Sequence, residues 1–373
     1  MGLFCGRFVY MMQLMTWIRF FIIWMGGLGV ALAYASELPK NFAELPDDVQ
    51  ALLLEYAFFN EQVTQHWGDD AEFSSSKAYV KYLDDYLSRA NVDFQKGLIR
   101  VQTLAVSEPK KQLKSAIVTT LLTPSDPNGV DMFSAQKISA KGKPFLFGQV
   151  LDHDGQSIAY EWRASRFAEY LIQNRLNVSE TAQGVKYSVS IPLVKNRQQV
   201  AANGIRGYVT QASNRFNLPE SLILGIIETE SSFNPFAVSH ANAYGLMQVI
   251  PSTAGADVFQ KIMGRTDRPS RQYLFNSQNN IMVGSGYLSI LRDRYLKGIK
   301  HPTSQLYCII SAYNSGAGNV FKTFHSSRKE AIRRINEMSV EDVLWRLRHR
   351  QPSHEARRYI EKVLKHQARY EGA

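Results

Sequence analysis

The spacing of apolar residues changes character along the chain. Residues 20–34 form one apolar run without period. Residues 51–65 then show helical spacing with many aromatics, and residues 77–90 repeat it, with Tyr79, Tyr82 and Tyr86 along one side of a predicted helix. Alternation follows: residues 98–105 put Ile99, Val101, Thr103 and Ala105 on one face, as a half-buried strand does. Residues 144–150 and 158–162 read as a hairpin across Asp152, His153, Asp154 and Gly155, and residues 186–194 as another strand. From about residue 196 alternation stops and helices run to the end, punctuated by Pro235, Pro251, Pro269, Pro302 and Pro352. Acidic first turns mark helix starts at Pro219-Glu220 and at Ser339-Val340-Glu341-Asp342. The pattern predicts an α+β protein, with a mixed α+β domain over residues 36–195 and a mainly α domain over 196–373.

Before Glu37 the only charges are Arg7 and Arg19, and Arg19 directly precedes the apolar run. The run is shorter than the ~20 apolar residues of a spanning helix, and it closes on Ala33-Tyr34-Ala35, the small-x-small pattern a signal peptidase cuts. Residues 1–35 are therefore expected to be an export signal, cleaved after Ala35. Retention as a membrane anchor is the alternative, because the apolar stretch extends back through Met11, Leu14 and Trp17 if Arg19 snorkels. Met11, Met12 or Met15 as the true start is a further option.

The 373 residues carry a formal charge of +10, which becomes +8 (41 Lys+Arg against 33 Asp+Glu) without residues 1–35. A basic surface favours polyanions, and for an exported protein the acidic glycopeptide of the cell wall is the one at hand. Arg333-Arg334 and the arginines of 346–350 are read the same way, as solvated faces or glycopeptide contacts, and no nucleic-acid partner is expected. Cys5 lies in the leader and Cys308 in an apolar stretch, so the mature chain has no intramolecular disulfide and Cys308 belongs to the core.

The chemistry concentrates between residues 222 and 253. An apolar helix (Leu222, Ile223, Ile226, Ile227) ends in Glu228-Thr229-Glu230-Ser231-Ser232-Phe233-Asn234-Pro235. A carboxylate at a helix C-terminus gains nothing from the macrodipole, and apolar surroundings favour its neutral form, as a general acid requires. Gly245-Leu246-Met247-Gln248 follows, with Gly245 permitting close approach and Gln248 offering a donor and an acceptor to sugar hydroxyl or acetamido groups. Ala312-Tyr313-Asn314 then places a phenol before a glycine-rich turn. Singly these signals are weak, since a helix-end Glu is usually solvated and a Tyr in an apolar run is usually core.

Their order is specific. E-S, then G-L-M-Q about fifteen residues on, then A-Y-N about sixty-five later resembles the lytic transglycosylases with a goose-type-lysozyme-like catalytic domain. The likeness covers about residues 200–365 and extends to Glu355-Ala356-Arg357-Arg358-Tyr359, similar to that family's late E-x-R-x-Y helix. Trp67-Gly68-Asp69-Asp70 and Tyr79-Val80-Lys81-Tyr82 make the N-terminal half resemble the accessory domain of the family's membrane-bound murein transglycosylase C branch. The resemblance implies a lysozyme-like helical domain with Glu230 as the catalytic acid. It implies further that Ser231 and Ser239 are supporting serines, that Met247 and Gln248 form the cleft wall, that Tyr313 and Asn314 lie near the acid, and that Glu355 and Tyr359 line the cleft. Peptidoglycan strands would be the substrate and the periplasm of a Gram-negative bacterium the location. Two departures stand out: Asn242 replaces the usual loop glycine, which a left-handed Asn tolerates, and no lipobox cysteine lies near Ala35-Ser36.

The implied mechanism uses one carboxyl group twice. Glu230 protonates the glycosidic oxygen leaving N-acetylmuramic acid, the substrate's acetamido group stabilises the oxocarbenium-like centre, and Glu230 then takes the proton of the C6 hydroxyl. The product is a 1,6-anhydromuramoyl end, and no second carboxylate is needed. Glu228, two residues earlier, points about 200° away on a helix and is expected outside the cleft, pairing with a basic side chain or helping to hold the domain. A hydrolytic goose-type muramidase would need a base carboxylate, for which Asp257 and Asp267 follow the cleft segment. A non-catalytic murein-binding module is the other alternative, and murein docking by the N-terminal domain a third task.

Other chemistries lack their signatures. Ser74-Ser75-Ser76-Lys77 satisfies S-x-x-K without a later S-D-N or K-T-G. Asp152 begins like a calcium loop, but its twelfth position is Arg163. The histidines show no H-E-x-x-H, so no metal or other cofactor is expected.

Overall fold

The computed structural model describes residues 42–44, 47–125, 134–135, 142–239 and 241–372; the expected export signal, its cut after Ala35 and Cys5 lie outside them. Two compact units result, one up to Ala71 and one from Glu72 to Ala373. The first contains α1 (Asp47–Trp67), the helix expected over 51–65, followed by a 3-10 turn at Gly68–Asp70. Among the described residues no helix is long and apolar enough to cross a membrane.

The second unit opens with β1 (Ala78–Leu83), β2 (Ser88–Asp93) and β3 (Leu98–Thr103), continues through α2 (Pro109–Leu121) and α3 (Glu161–Asn174), and closes its sheet with β4 (Asn177–Thr181) and β5 (Gly184–Pro192). All neighbours are antiparallel, in the order β1-β2-β3-β5-β4. α2 covers the sheet with Leu113, Ala116 and Ile117, and α3 packs on α2 through Ala164, Phe167 and Leu171. β3 and β5 are the strands that alternation predicted.

Residues 77–90 are not the predicted helix but the β1–β2 hairpin. Asp84, Asp85 and Tyr86 adopt φ of 51°, 50° and 68°, reversing the chain so that Leu83 pairs with Ser88. Tyr79 and Tyr82, three apart, face opposite sides of β1, and both are buried. Burial on both faces erases the alternation that marks a strand and leaves a spacing that imitates a helix. Residues 144–162 also differ from expectation: a single bridge, Leu151 to Ser157, brackets a turn, and α3 already begins at Glu161. The Asp152 carboxylate organises that turn, accepting from the backbone N–H of Asp154 (3.0 Å) and Gln156 (2.8 Å) and pairing with Arg163 at 2.6 Å. Arg163 thus occupies the position a calcium loop would give to a glutamate.

From Arg197 onward the regular elements are helices: α4 (Arg197–Phe216), α5 (Glu220–Ser231), α6 (Ala256–Lys261), α7 (Arg271–Phe275), α8 (Ser277–Ile290), α9 (Pro302–Ser315), α10 (Ala317–Phe324), α11 (Arg328–Glu337), α12 (Val340–His349) and α13 (His354–Gln367). Cys308 is fully buried among them, as expected. One continuous apolar cluster runs from Tyr79 in β1 to Val363 in α13, so the change of secondary structure near residue 195 is not a break in packing. The junction is aromatic and polar together. Tyr79 stacks on Phe236 (4.6 Å), Phe145 meets both edge-on, and Arg197 donates to the carbonyls of Phe94 and Gln95.

Candidate active site

The site is built around the end of α5. Leu222, Ile223, Leu224, Ile226 and Ile227 are all buried, so the helix is apolar on every side and sits inside the domain rather than on it. Ser232 and Phe233 end it in left-handed conformations (φ 52° and 66°), an uncommon pair for residues with side chains, held by Asn234 before Pro235. Asn234 is fully buried; its side-chain oxygen accepts from Phe236 N–H at 3.0 Å and its amide donates to Ser75 O at 3.3 Å.

α13 lies against α5 because Gly225 allows it: a Cβ there would come within 2.9 Å of the Gln367 backbone nitrogen and 3.0 Å of its Cα. This approach delivers Tyr359, whose hydroxyl donates to Glu230 Oε1 at 2.7 Å. Burial pushes the Glu230 carboxyl up from 4.5 to about 7, opposed by the Tyr359 hydrogen bond and the Lys77 charge and assisted by the Glu355 charge. Such a group keeps a proton near neutrality and can also release it. Burial, and next the Glu230 charge, hold the Tyr313 and Tyr359 hydroxyls well above their ordinary range, so both remain phenols.

Glu228 takes the structural role expected of it. Its carboxylate is paired with Arg369, accepts from Tyr370 OH at 2.7 Å and lies 3.6 Å from His366 Nε2. The other acids weighed as bases also have basic partners: Asp257 with Lys261 at 2.5 Å, and Asp267 with Arg265 at 2.5 Å.

The loop that carries Gly245-Leu246-Met247-Gln248 is fixed from behind. Asn280 of α8, fully buried, accepts from Met247 N–H at 2.8 Å and donates to the carbonyls of Tyr244 and Leu274, both at 2.7 Å. Tyr313 OH donates to Met247 O at 2.8 Å, which ties α9 to the loop. The Met247 side chain itself is buried over Gly284, so this residue contributes backbone and packing rather than an exposed group. Gln248 (φ 48°) donates its amide nitrogen to the carbonyls of Ala237 (3.2 Å) and Gly245 (3.1 Å), leaving its side-chain oxygen to accept. Ser239 Oγ accepts from the N–H groups of Ala241 and Ala243 at 3.2 Å, and Asn242 has the left-handed φ of 56° expected of it. Ser231, fully buried, bonds back to Ile227 O at 3.1 Å.

Glu355, exposed at the start of α13, accepts from Asn314 at 3.4 Å. The Tyr313 ring lies 5.8 Å from that of Tyr287, which opens onto a cavity of about 460 Å³ bounded by Tyr295, Phe321, Lys322 and Arg328. The structure thus gathers Tyr359, Tyr313 and Glu355 about Glu230, while Ser231 and Met247 are buried and the half-buried Ser239 braces its own turn. Among the described residues no group of three or more His, Cys, Asp or Glu side chains is placed to hold a metal ion. Sequence reasoning missed Lys77, Asn234 and Asn280. In the sequence Asn234 stands only as the residue before Pro235, and nothing local marks Asn280, whose bond to Met247 spans 33 residues.

Comparison with known proteins adds family matches. The family described as "Membrane-bound lytic murein transglycosylase C, N-terminal domain" matches residues 46–204, and the "Transglycosylase SLT domain" matches residues 207–336. The chain is 46% identical over 314 residues to membrane-bound lytic murein transglycosylase C of Klebsiella pneumoniae, covering 84% of this chain and 87% of that one. The Cronobacter sakazakii protein of the same name matches with the same figures. The Yersinia enterocolitica protein is 44% identical over the same shares. Among solved structures, an inactive mutant of lytic transglycosylase Slt from Pseudomonas aeruginosa aligns at a TM-score of 0.35 and 25% identity over 44% of this chain and 23% of that chain. The 70 kDa soluble lytic transglycosylase of Escherichia coli aligns at 0.31 and 24% identity, over 44% and 24%.

Proposed function

This chain belongs to the membrane-bound lytic murein transglycosylase C family, and on that premise we propose that Glu230 alone carries its reaction, first as acid and then as base. The enzyme is a peptidoglycan lytic transglycosylase, a carbon–oxygen lyase of the cell envelope. The periplasm is the compartment in which it meets its glycan substrate. Residues 36–195 serve as the accessory domain and residues 196–373 as the catalytic one.

The observation that carries the single-carboxyl reading is the contrast between two neighbours on one helix. Glu230 is held near pH 7 by burial and touched by a phenol, whereas Glu228 is committed to Arg369 and Tyr370. Protonated Glu230 donates to the β-1,4 glycosidic oxygen between N-acetylmuramic acid and N-acetylglucosamine, and the C1–oxygen bond breaks with the electron pair going to the leaving sugar. The substrate's acetamido carbonyl supports the cationic centre. The Glu230 carboxylate, its Oε1 accepting from Tyr359, then takes the C6 hydroxyl proton as O6 bonds to C1. The 1,6-anhydro ring forms, Glu230 is protonated again, and no water enters. Asp257 and Asp267 are each engaged by a basic partner, which supports reading them as surface acids rather than as a water-activating base. Tyr313, Gln248, Asn314 and Glu355 face the sugar, while Ser231, Ser239 and Met247 hold the walls.

The test is mass spectrometry of soluble products from purified sacculi treated with the full-length protein and with Glu230→Gln. Anhydro-ended muropeptides from the first protein only are expected. Reducing-ended products would move the reading to a hydrolytic muramidase, and an absence of Glu230-dependent product to a binding module.

A further inference from the structure

Ser74-Ser75-Ser76-Lys77 matched a serine-enzyme signature that the rest of the chain does not support, yet its lysine reaches the active-site helix. Lys77 Nζ donates to Glu228 O at 3.1 Å and to Thr229 O. These carbonyls belong to the last turn of α5, where Glu228 O also accepts from Ser232 N–H at 3.1 Å and where a cation complements the negative end of the macrodipole. Lysine caps of this kind normally come from the helix itself or its own loop. This one arrives from the sheet, about 150 residues away in sequence.

We infer that Lys77 is a positioning residue for Glu230: it ties the last turn of α5 to the leading end of β1 and supplies a positive charge beside the acid. The segment cannot withdraw easily. Asn234 donates to the carbonyls of Ser75 and Ser76, at 3.3 and 3.5 Å, on one side of Lys77, and Tyr79 stacks on Phe236 on the other. Three successive contacts thus clamp residues 75–79 onto the loop that follows the catalytic glutamate.

The electrostatics agree with the geometry. The groups acting on Glu230 are Tyr359 and Glu355 of α13 and Lys77, with Tyr313 of α9 sensing its charge. Those acting on Lys77 are Glu230 and Glu228 of α5, which favour its charge, and Lys362 of α13, which opposes it; His366 of α13 senses Lys77 in turn. Burial brings Lys77 down to about 8, so cation and acid titrate close together and each supports the other's ionised form. The accessory region therefore takes part in setting the acid's proton affinity, besides any docking to murein.

The inference rests on Glu230 being the acid, and its test separates the two claims. Full-length wild type, Lys77→Gln, which keeps a donor without the charge, and Lys77→Arg are compared on sacculi across about pH 5–9 by release of anhydro products. The limb on which activity falls with rising pH is expected about one pH unit higher in Lys77→Gln and unmoved in Lys77→Arg, with KM within about twofold. A second arm needs no change at Lys77: NMR titration of its ε-methylene in Glu230→Gln is expected to show a lower midpoint than in wild type, because coupling is reciprocal. This arm decides alone if Lys77→Gln does not fold. A Lys77→Gln limb that coincides with wild type, or an unchanged Lys77 titration in Glu230→Gln, overturns the inference. Retained activity in Glu230→Gln would instead overturn the acid assignment.

Discussion

Replacing Glu230 with Gln is expected to stabilise the protein above neutral pH while it abolishes turnover. The folded protein holds the Glu230 proton more tightly than the unfolded chain does, about 7 against 4.5, with burial as the leading cause. Stability linked to this group is therefore complete below about pH 4.5 and declines as pH rises towards about 7, where the unfolded chain ionises freely and the folded one must either keep its proton or bury a charge. Each tenfold change in proton affinity is worth about 1.4 kcal/mol, so the wild type forgoes at most about 3 kcal/mol at pH 8. The residue retains partial exposure, and water there trims the figure towards about 2 kcal/mol. Gln has the same shape without the titration, so any constant effect of the amide appears equally at pH 4 and pH 8 and cancels between them. Thermal or urea unfolding of both proteins at the two pH values is the assay. The pH-dependent part is expected to raise the melting temperature of Glu230→Gln by roughly 3–5 °C at pH 8 relative to its effect at pH 4. A difference that does not change with pH would refute the claim that this carboxyl is buried against its charge.

Tyr359→Phe removes the donor to Glu230 Oε1 and, since that bond favours the carboxylate, is expected to move the falling limb of the pH–activity profile up by about one unit and to lower kcat by about tenfold. Glu228→Gln breaks a pair whose Arg369 partner is half exposed; a stability loss of about 1–3 kcal/mol by urea unfolding is expected, with kcat within about threefold of wild type. Gly225→Ala forces a methyl group against the Gln367 backbone, which cannot give way as a side chain could. Overpacking of about 1–3 kcal/mol, offset by about 1 kcal/mol of helix propensity, should leave a net loss by calorimetry, together with reduced kcat as Tyr359 is drawn from Glu230.

The features legible in the chain alone are those that depend on near neighbours. The apolar run of α5, the opposed directions of Glu228 and Glu230 on it, the left-handed Asn242, the Ser339 cap and the strands over 98–103 and 184–192 follow from local period and backbone preference. The E-S, G-L-M-Q and A-Y-N set was legible because each motif is short and contiguous. The hairpin at 77–90 was not legible, because β1 is buried on both faces and only its pairing with β2 reveals it as a strand. Tertiary structure alone decided which groups surround the acid. Tyr359 arrives because Gly225 lets α13 close on α5, Asn280 fixes the 244–247 loop from α8, and Lys77 reaches the helix end from the sheet. Each of these contacts joins residues more than 30 apart, and periodicity carries no information about them. Proton affinity depends on which charges and dipoles lie within a few ångströms, so the chemistry of Glu230 became readable only when the chain had brought them together.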